Sequence, residues 1–260
     1  MKKYSGTSLR QKLLSIALFL VILNPVFADA VNETKKAMEL QPNLEQGKKT
    51  YELCATCHGA NGWGKEDGSF PVIAGQHKSV IIKQLADIRA RNRENPTMFP
   101  FSGDDVLGGA QGIEDVAGYI ASLPVNPNPG KGDGKQLELG KKLFLEKCAA
   151  CHGQMGEGNA EAYFPRIQGQ HYAYLVRQLQ WIRDGRRKNG NPEMLALIKD
   201  IDDNEFRAIA DYVSRIKVDS AAGSDSVVAS SSDADTEKSD KEIGKDLDKK
   251  SDEKSVKSND

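Results

Sequence analysis

All four cysteines of this 260-residue chain lie in two copies of one short motif, Cys-x-x-Cys-His. Two thiols at this spacing can bond to the two vinyl groups along one edge of a haem, and the adjacent histidine can then place an imidazole nitrogen on the iron. The motifs therefore predict two covalently attached haem c groups. The predicted haem-binding cysteines are Cys54, Cys57, Cys148 and Cys151, and the predicted iron-binding histidines are His58 and His152.

Other uses of paired cysteines fit this pattern less well. A thioredoxin-like dithiol does not need the histidine that follows both motifs. A zinc ribbon places its two pairs about 15–20 residues apart, whereas 90 residues separate Cys57 from Cys148. A disulfide framework is typical of short secreted domains with little core, whereas this chain of 260 residues is not short. Haem attachment is the interpretation that accounts for every cysteine.

The region from about residue 32 to residue 217 is an internal repeat. Cys54 matches Cys148, and the segment 75–77 matches 169–171, both at an offset of 94. Between the copies lies a stretch with three prolines and three glycines, a composition typical of linkers. We therefore predict one small domain in duplicate, with domain 1 at 32–123, a linker at 124–134 and domain 2 at 135–217.

Each copy is predicted to be all-α. The first helix should run from Leu44 into Cys54 and its twin from Leu137 to Cys148. A second helix is indicated by apolar residues at i, i+4 and i+7 in each copy, and a third by apolar periodicity near the end of each copy. Domains of this size have a thin core, so we expect each copy to depend on its haem for stability.

The two ends of the chain are not expected to belong to this fold. Residues 1–28 combine a basic flank, an apolar run from Leu13 to Leu23 and small residues at a cleavage site, the pattern of a secretory signal peptide. Residues 218–260 hold ten Ser, twelve Asp plus Glu and seven Lys with few apolar residues, so we predict a disordered charged tail. The formal net charge of −1 gives no indication of a nucleic-acid partner.

The residue on the other face of each iron decides whether a haem protein passes electrons or binds substrates. Met98 follows His58 by 40 residues, and Met194 follows His152 by 42, each after Asn-Pro-x in what should be a loop. Their twinned placement favours them as axial ligands. The alternative pair is His77 and His171, also twinned but nearer the motifs. Met38 and Met155 have no twin and are less suitable.

Two further features of the sequence concern the surroundings of the haems. Pro71 and Pro165 each lie 13 residues after a motif histidine, and we expect their carbonyls to accept the other N–H of the imidazole, as is usual for metal-bound histidine. Arg183, Arg186, Arg187 and Lys188 form a basic cluster. The cluster is either a solvated face, a contact with the haem carboxylates or a docking surface.

With these residues the chain resembles the dihaem class I cytochromes c of the cytochrome c4 family, from about Leu44 to Lys217. The resemblance rests on the two Cys-x-x-Cys-His-Gly motifs, on the repeated Phe-Pro-x-Ile-x-Gly-Gln-His at 70–77 and 164–171, and on the later methionines. It implies two cytochrome c domains with His/Met-ligated haems. It also implies a periplasmic electron carrier, not an enzyme, between a membrane respiratory complex as donor and a terminal oxidase as acceptor, with at most peripheral membrane association.

Two other functions stay open at this point. The chain could be the cytochrome subunit of a larger dehydrogenase, such as flavocytochrome c sulfide dehydrogenase. It could also be a dihaem peroxidase, which needs an iron with an open axial position. Two twinned methionines argue against the peroxidase.

Overall fold

The computed structural model describes residues 25–218, with side chains from Asp29 onward. The predicted signal peptide, apart from residues 25–28, and the predicted tail beyond Val218 lie outside the described residues. The described part is helical, with one isolated bridge between Asn159 and Phe164 and no named strand. The helices are α1 Pro25–Met38, α2 Leu44–His58, α3 Lys78–Arg89, α4 Asp104–Leu107, α5 Gly109–Ser122, α6 Leu137–Lys147, α7 Ala149–His152, α8 Tyr172–Arg183, α9 Pro192–Ile198 and α10 Asp203–Ser214.

The all-α prediction and its internal repeat are confirmed. In the first copy α2 packs on α5, and in the second α6 packs on α10. A glycine allows the two helices to approach closely at each crossing. A Cβ atom added to Gly47 would lie 2.0 Å from the carbonyl oxygen of Asp115, and a Cβ atom added to Gly140 would lie 2.0 Å from the carbonyl oxygen of Ala208. Even the neighbouring aromatic pairs, Tyr51–Tyr119 and Phe144–Tyr212, occupy equivalent places.

Helix α1 was not predicted and overlaps the end of the segment assigned to the signal peptide. Its buried side is formed by Ala30 and Ala37, which are spaced two turns apart and pack against the first copy. Glu33 on the same helix pairs with Arg89 at the end of α3. Two alanines give only a weak apolar pattern, so the sequence gives little indication that this segment is an amphipathic helix. Within residues 25–218 no helix combines the length and the apolar character needed to cross a membrane.

The two copies contact each other through reciprocal hydrogen bonds at equivalent positions. The side-chain amide of Gln76 donates to the carbonyl of Arg166 and accepts from its backbone N–H, both at 2.9 Å. Gln170, the twin of Gln76, bonds in the same way to both backbone groups of Val72, at 2.8 and 2.9 Å. Because Val72 and Arg166 are themselves twins, the interface has approximate two-fold symmetry.

The segment 124–134 is bonded to both copies. The indole N–H of Trp63 donates to the carbonyl of Pro124 at 2.8 Å. In the second copy the carboxylate of Asp211 accepts from the backbone N–H groups of Gly132 and Gly134. These bonds fix a stretch whose composition alone predicts flexibility.

Candidate haem sites

The two Cys-x-x-Cys-His motifs lie at the ends of equivalent helices. The first motif forms the last turn of α2, which continues beyond the predicted end to His58. The second motif is split between two helices: α6 ends at Lys147, just before Cys148, and the short α7 contains the rest of the motif from Ala149 to His152. All four cysteines are free and half-buried. Both motifs therefore present two thiols and one imidazole together.

The motif histidines are oriented by the carbonyls that the sequence indicated. Nδ1 of His58 lies 3.1 Å from the carbonyl oxygen of Pro71, and Nδ1 of His152 lies 3.0 Å from that of Pro165. Since a carbonyl only accepts, Nδ1 carries the hydrogen and Nε2 has a free lone pair. Burial lowers the pKa of both histidines, so both are neutral and in the form that binds a metal.

A single cavity of about 810 Å³ is lined by both motifs. Its wall combines the thiols and motif imidazoles with apolar side chains of both copies, such as Ile81, Val116, Leu175 and Val213. Burial raises the pKa of Cys54 and of Cys148 to about 11, the opposite of the lowered thiol pKa that a redox dithiol requires. An apolar cavity with two thiol pairs and two neutral imidazoles fits two covalently bound haem c groups.

Met98 and Met194 both line this cavity. Their backbone N–H groups donate to the side-chain oxygens of Asn95 and Asn191 at 3.3 Å in each copy, so the repeated Asn-Pro-x-Met sequence is a local capping turn. The placement of Met194 differs from the prediction. It lies in the first turn of α9 rather than in a loop, because Asn191 acts as an N-cap and Pro192 occupies the first helical position.

His77 and His171 lie at the contact between the two copies. Nε2 of His77 is 2.8 Å from the carbonyl of Glu157, and Nε2 of His171 is 2.7 Å from the carbonyl of Trp63. Nδ1 of His171 also accepts from the backbone N–H of Gly130 at 2.9 Å. Both ring nitrogens of His171 are therefore already engaged, which disfavours the bis-histidine alternative.

The basic cluster at 183–188 separates into residues with different contacts. Arg183 bonds to the carbonyl of Ile201 and pairs with Asp203. Arg186 is exposed, and Lys188 lies 3.3 Å from Glu94 in an exposed pair. Only Arg187 lines the cavity. It has a twin at the offset of the repeat, Arg93, which lines the cavity as well, and sequence analysis missed that pair although the offset of 94 would have revealed it.

Comparison with known proteins agrees with the geometry. A sequence model of the family described as cytochrome c matches residues 44–124 and again residues 137–217. The cytochrome c4 of Azotobacter vinelandii is 31% identical over 186 residues, which is 65% of this chain and 85% of that protein. A protein of Stutzerimonas stutzeri named thiosulfate dehydrogenase electron acceptor is 31% identical over 201 residues, 69% of this chain and 90% of that one.

Among solved structures, reduced recombinant cytochrome c4 from Pseudomonas stutzeri superposes with a TM-score of 0.58 at 30% identity, over 66% of this chain and 97% of that one. The two-domain helical architecture, the pair of attachment motifs in this chain and the family match over both copies point to one assignment. The chain belongs to the cytochrome c family and, within it, is a dihaem electron-transfer cytochrome of the cytochrome c4 type.

Proposed function

We propose that this protein is a periplasmic electron carrier that takes electrons from a membrane respiratory complex and delivers them to a terminal oxidase. Bound haem supplies reversible one-electron chemistry at iron. The residues of the chain hold that chemistry in a buried, largely apolar cavity and fix the orientation of the ligands. The observation that carries the proposal is the pair of oriented motif histidines, His58 and His152, within one cavity shared by both copies.

We further propose that Met98 is the second axial ligand in the first copy and Met194 in the second. Support comes from their position on the cavity wall, from the equivalent Asn-capped turns and from the engagement of His77 and His171 elsewhere. Thioether ligation opposite histidine raises the potential and leaves no open position for a substrate. This arrangement suits electron transfer and argues against the peroxidase alternative, which needs an iron with an open position.

The export proposal rests on residues 1–28 and is tested separately. Cell fractionation should place the haem-stained protein with periplasmic markers, and its mature N-terminus should begin close to residue 29. If the protein were instead found in the cytoplasmic fraction without covalent haem, the export proposal would be wrong.

The carrier proposal is tested with purified holoprotein and membranes that contain a terminal oxidase. Reduced holoprotein should be reoxidised by these membranes in the presence of oxygen, and cyanide should stop the reaction. A redox titration of the same sample should resolve two one-electron steps. Absence of oxidase-dependent reoxidation at any ionic strength would remove the oxidase as acceptor.

A second candidate is the role of dedicated acceptor for a dehydrogenase of sulfur compounds. The observation in its favour is the similarity to the Stutzerimonas stutzeri protein named thiosulfate dehydrogenase electron acceptor. The discriminating assay mixes the oxidised holoprotein with a purified thiosulfate dehydrogenase and thiosulfate. Rapid reduction that depends on both components supports this candidate, and reduction that needs a respiratory donor instead supports the carrier proposal.

A further inference from the structure

Helix α1 lies outside both segments that match the cytochrome c family, since the first match begins at residue 44. It nevertheless packs against α3 and α5 of the first copy. Cleavage of the export signal after residue 28 would leave this helix in the mature protein from Asp29 to Met38. The segment that carries Met98 begins where α3 ends, so α1 lies beside the helix from which that segment departs.

Arg89, the last residue of α3, connects α1 to the segment 90–103, which carries Met98. Its Nε donates to the carbonyl of Ser102, and its Nη1 donates to the carboxylate of Glu33 on α1. The side chains of Arg89 and Glu33 are 16% and 20% exposed. A pair shielded to this degree is screened by water and salt less than a surface pair. We call Glu33, Arg89 and Ser102 the Arg89 clamp.

A second carboxylate shares Nη1 of Arg89 but is far more exposed. Asp104 accepts from it at 2.7 Å, with 78% of the Asp104 side chain exposed. Exposed ion pairs contribute little to stability. Glu33 is therefore the carboxylate that does most to fix the guanidinium.

The Arg89 clamp is bonded to the turn that carries Met98. Ser102 is fully buried, and both its backbone N–H and its hydroxyl donate to the carbonyl of Phe99, at 3.1 and 2.8 Å. Phe99 directly follows Met98, whose own carbonyl accepts from the N–H of Phe101 at 3.0 Å. A continuous series of hydrogen bonds and one peptide bond thus joins Glu33 to Met98.

The second copy has an equivalent arginine with partners inside its own domain. Arg183 is the twin of Arg89 at the offset of 94. It donates to the carbonyl of Ile201 at 3.1 Å and pairs with Asp203 at 2.9 Å. The first copy therefore takes from α1 a contact that the second copy supplies from its own residues.

The turns that carry the two methionines also differ in regularity. Met194 lies in the seven-residue helix α9. The turn of Met98 continues only into the 3₁₀ helix Phe99–Phe101. Because the first turn has fewer helical bonds of its own, its position depends more on contacts from outside, such as the Arg89 clamp.

We propose that Glu33 acts through Arg89 as a positioning residue that holds Met98 at the first haem iron and so resists its replacement by external ligands. The proposal rests on the proposed ligation of that iron by Met98. An external ligand binds the iron only while Met98 has left it, so its apparent affinity rises in proportion to the fraction of molecules in that open state. A weaker clamp therefore gives a higher affinity for the external ligand.

The test is a titration of the oxidised holoprotein with imidazole, followed by loss of the charge-transfer band that thioether ligation produces. We expect Glu33→Gln to bind imidazole about 3–30-fold more tightly at the first haem, the range expected for the loss of one partly shielded, charge-assisted hydrogen bond. The imidazole affinity of the second haem should not change. A purely structural role of Glu33 would lower the melting temperature without this change in affinity at one haem.

The chain offers matched controls in both copies. Glu39→Gln changes an exposed carboxylate just beyond the end of α1 and should leave both affinities unchanged. Arg183→Gln removes the corresponding contacts in the second copy and should tighten imidazole binding at the second haem alone. Met98→Ala assigns the two sites, because the titration step that remains in the thioether band of this variant belongs to the second haem.

The covalent haem content of every variant is measured by mass spectrometry before titration, so that a loss of haem is not mistaken for a change in affinity. Equal imidazole affinities in Glu33→Gln and Glu39→Gln, with the thioether band halved in Met98→Ala, would overturn the role of the clamp and leave the ligand proposal standing. Equal tightening at both haems in Glu33→Gln would show that α1 acts through general stability, and would also overturn it. Retention of the full band in Met98→Ala would overturn both proposals, so the failure of each is recognised by a different measurement.

Discussion

The imidazole of His171 spans the contact between the two copies and donates from Nε2 to the carbonyl of Trp63 at 2.7 Å. Its side chain is only 1% exposed, and Nδ1 accepts from the backbone of Gly130. The acceptor at Nδ1 fixes the tautomer with hydrogen on Nε2. A single neutral ring therefore joins the second copy, the segment 124–134 and the first copy.

Replacement of His171 by alanine should destabilise the folded protein without removing a haem ligand. It leaves the N–H of Gly130 and the carbonyl of Trp63, both in half-buried residues, without this partner, which costs about 1–3 kcal/mol for each group that water cannot reach. The matched control is His77→Ala at the twin position, where the side chain is only half-buried and the expected loss is smaller. Thermal unfolding measures the difference. A visible spectrum that changed in His171→Ala alone would contradict this assignment and revive the bis-histidine alternative.

The same residue predicts a pH dependence of stability. Burial lowers the pKa of His171 below its ordinary 6.5, against the opposing effect of its bond to Trp63. Below about pH 6.5 the imidazole of His171 binds a proton in the unfolded chain more readily than in the folded protein. The free energy of unfolding therefore falls as the pH falls. This contribution is fully present above about pH 7. His171→Gln should show a smaller loss of melting temperature between about pH 7.5 and 5.5, and an unchanged loss would contradict the prediction.

Replacement of Met98 or Met194 by alanine should alter one haem site each. We expect each single change to remove about half of the weak ferric charge-transfer band that thioether ligation produces. The potential of the affected site should fall, because axial ligands set haem potentials over about 0.8 V. Binding of carbon monoxide should appear at one site per chain. Met155→Ala, at an exposed position outside the cavity wall, is the control, and retention of the full band in both single variants would refute the assignment.

The close helix crossings predict a cost for adding one methyl group. In Gly140→Ala the new Cβ would lie 2.0 Å from the carbonyl oxygen of Ala208, so α6 and α10 must move apart. Overpacking of this kind destabilises by about 1–3 kcal/mol. Lys141→Ala on the exposed face of the same helix is the control and should change stability by less than about 0.5 kcal/mol. Equal melting temperatures for the two variants would show that the crossing tolerates the methyl group.

Local features of the site followed from the sequence, whereas contacts between the copies did not. The motif residues and the carbonyls of Pro71 and Pro165 were predictable because each depends on short spacings and on the usual needs of a metal-bound imidazole. The helical placement of Met194 was not predictable from the repeated Asn-Pro-x-Met sequence, because the same sequence in the first copy leads only into a short 3₁₀ turn at Phe99–Phe101. The contacts that Arg93 and Arg187 make between the two copies could not be derived, because periodicity within one copy says nothing about which face meets the other copy.

The reciprocal bonds of Gln76 and Gln170 have the pattern of an isologous dimer, in which one surface patch meets its own copy. Here both patches belong to one polypeptide, so the pairing is intramolecular. A segment of 11 residues, 124–134, connects them, and a short connection of this kind gives an effective concentration in the millimolar range. The two halves therefore stay paired however dilute the protein becomes, whereas separately expressed halves would have to find each other by mass action.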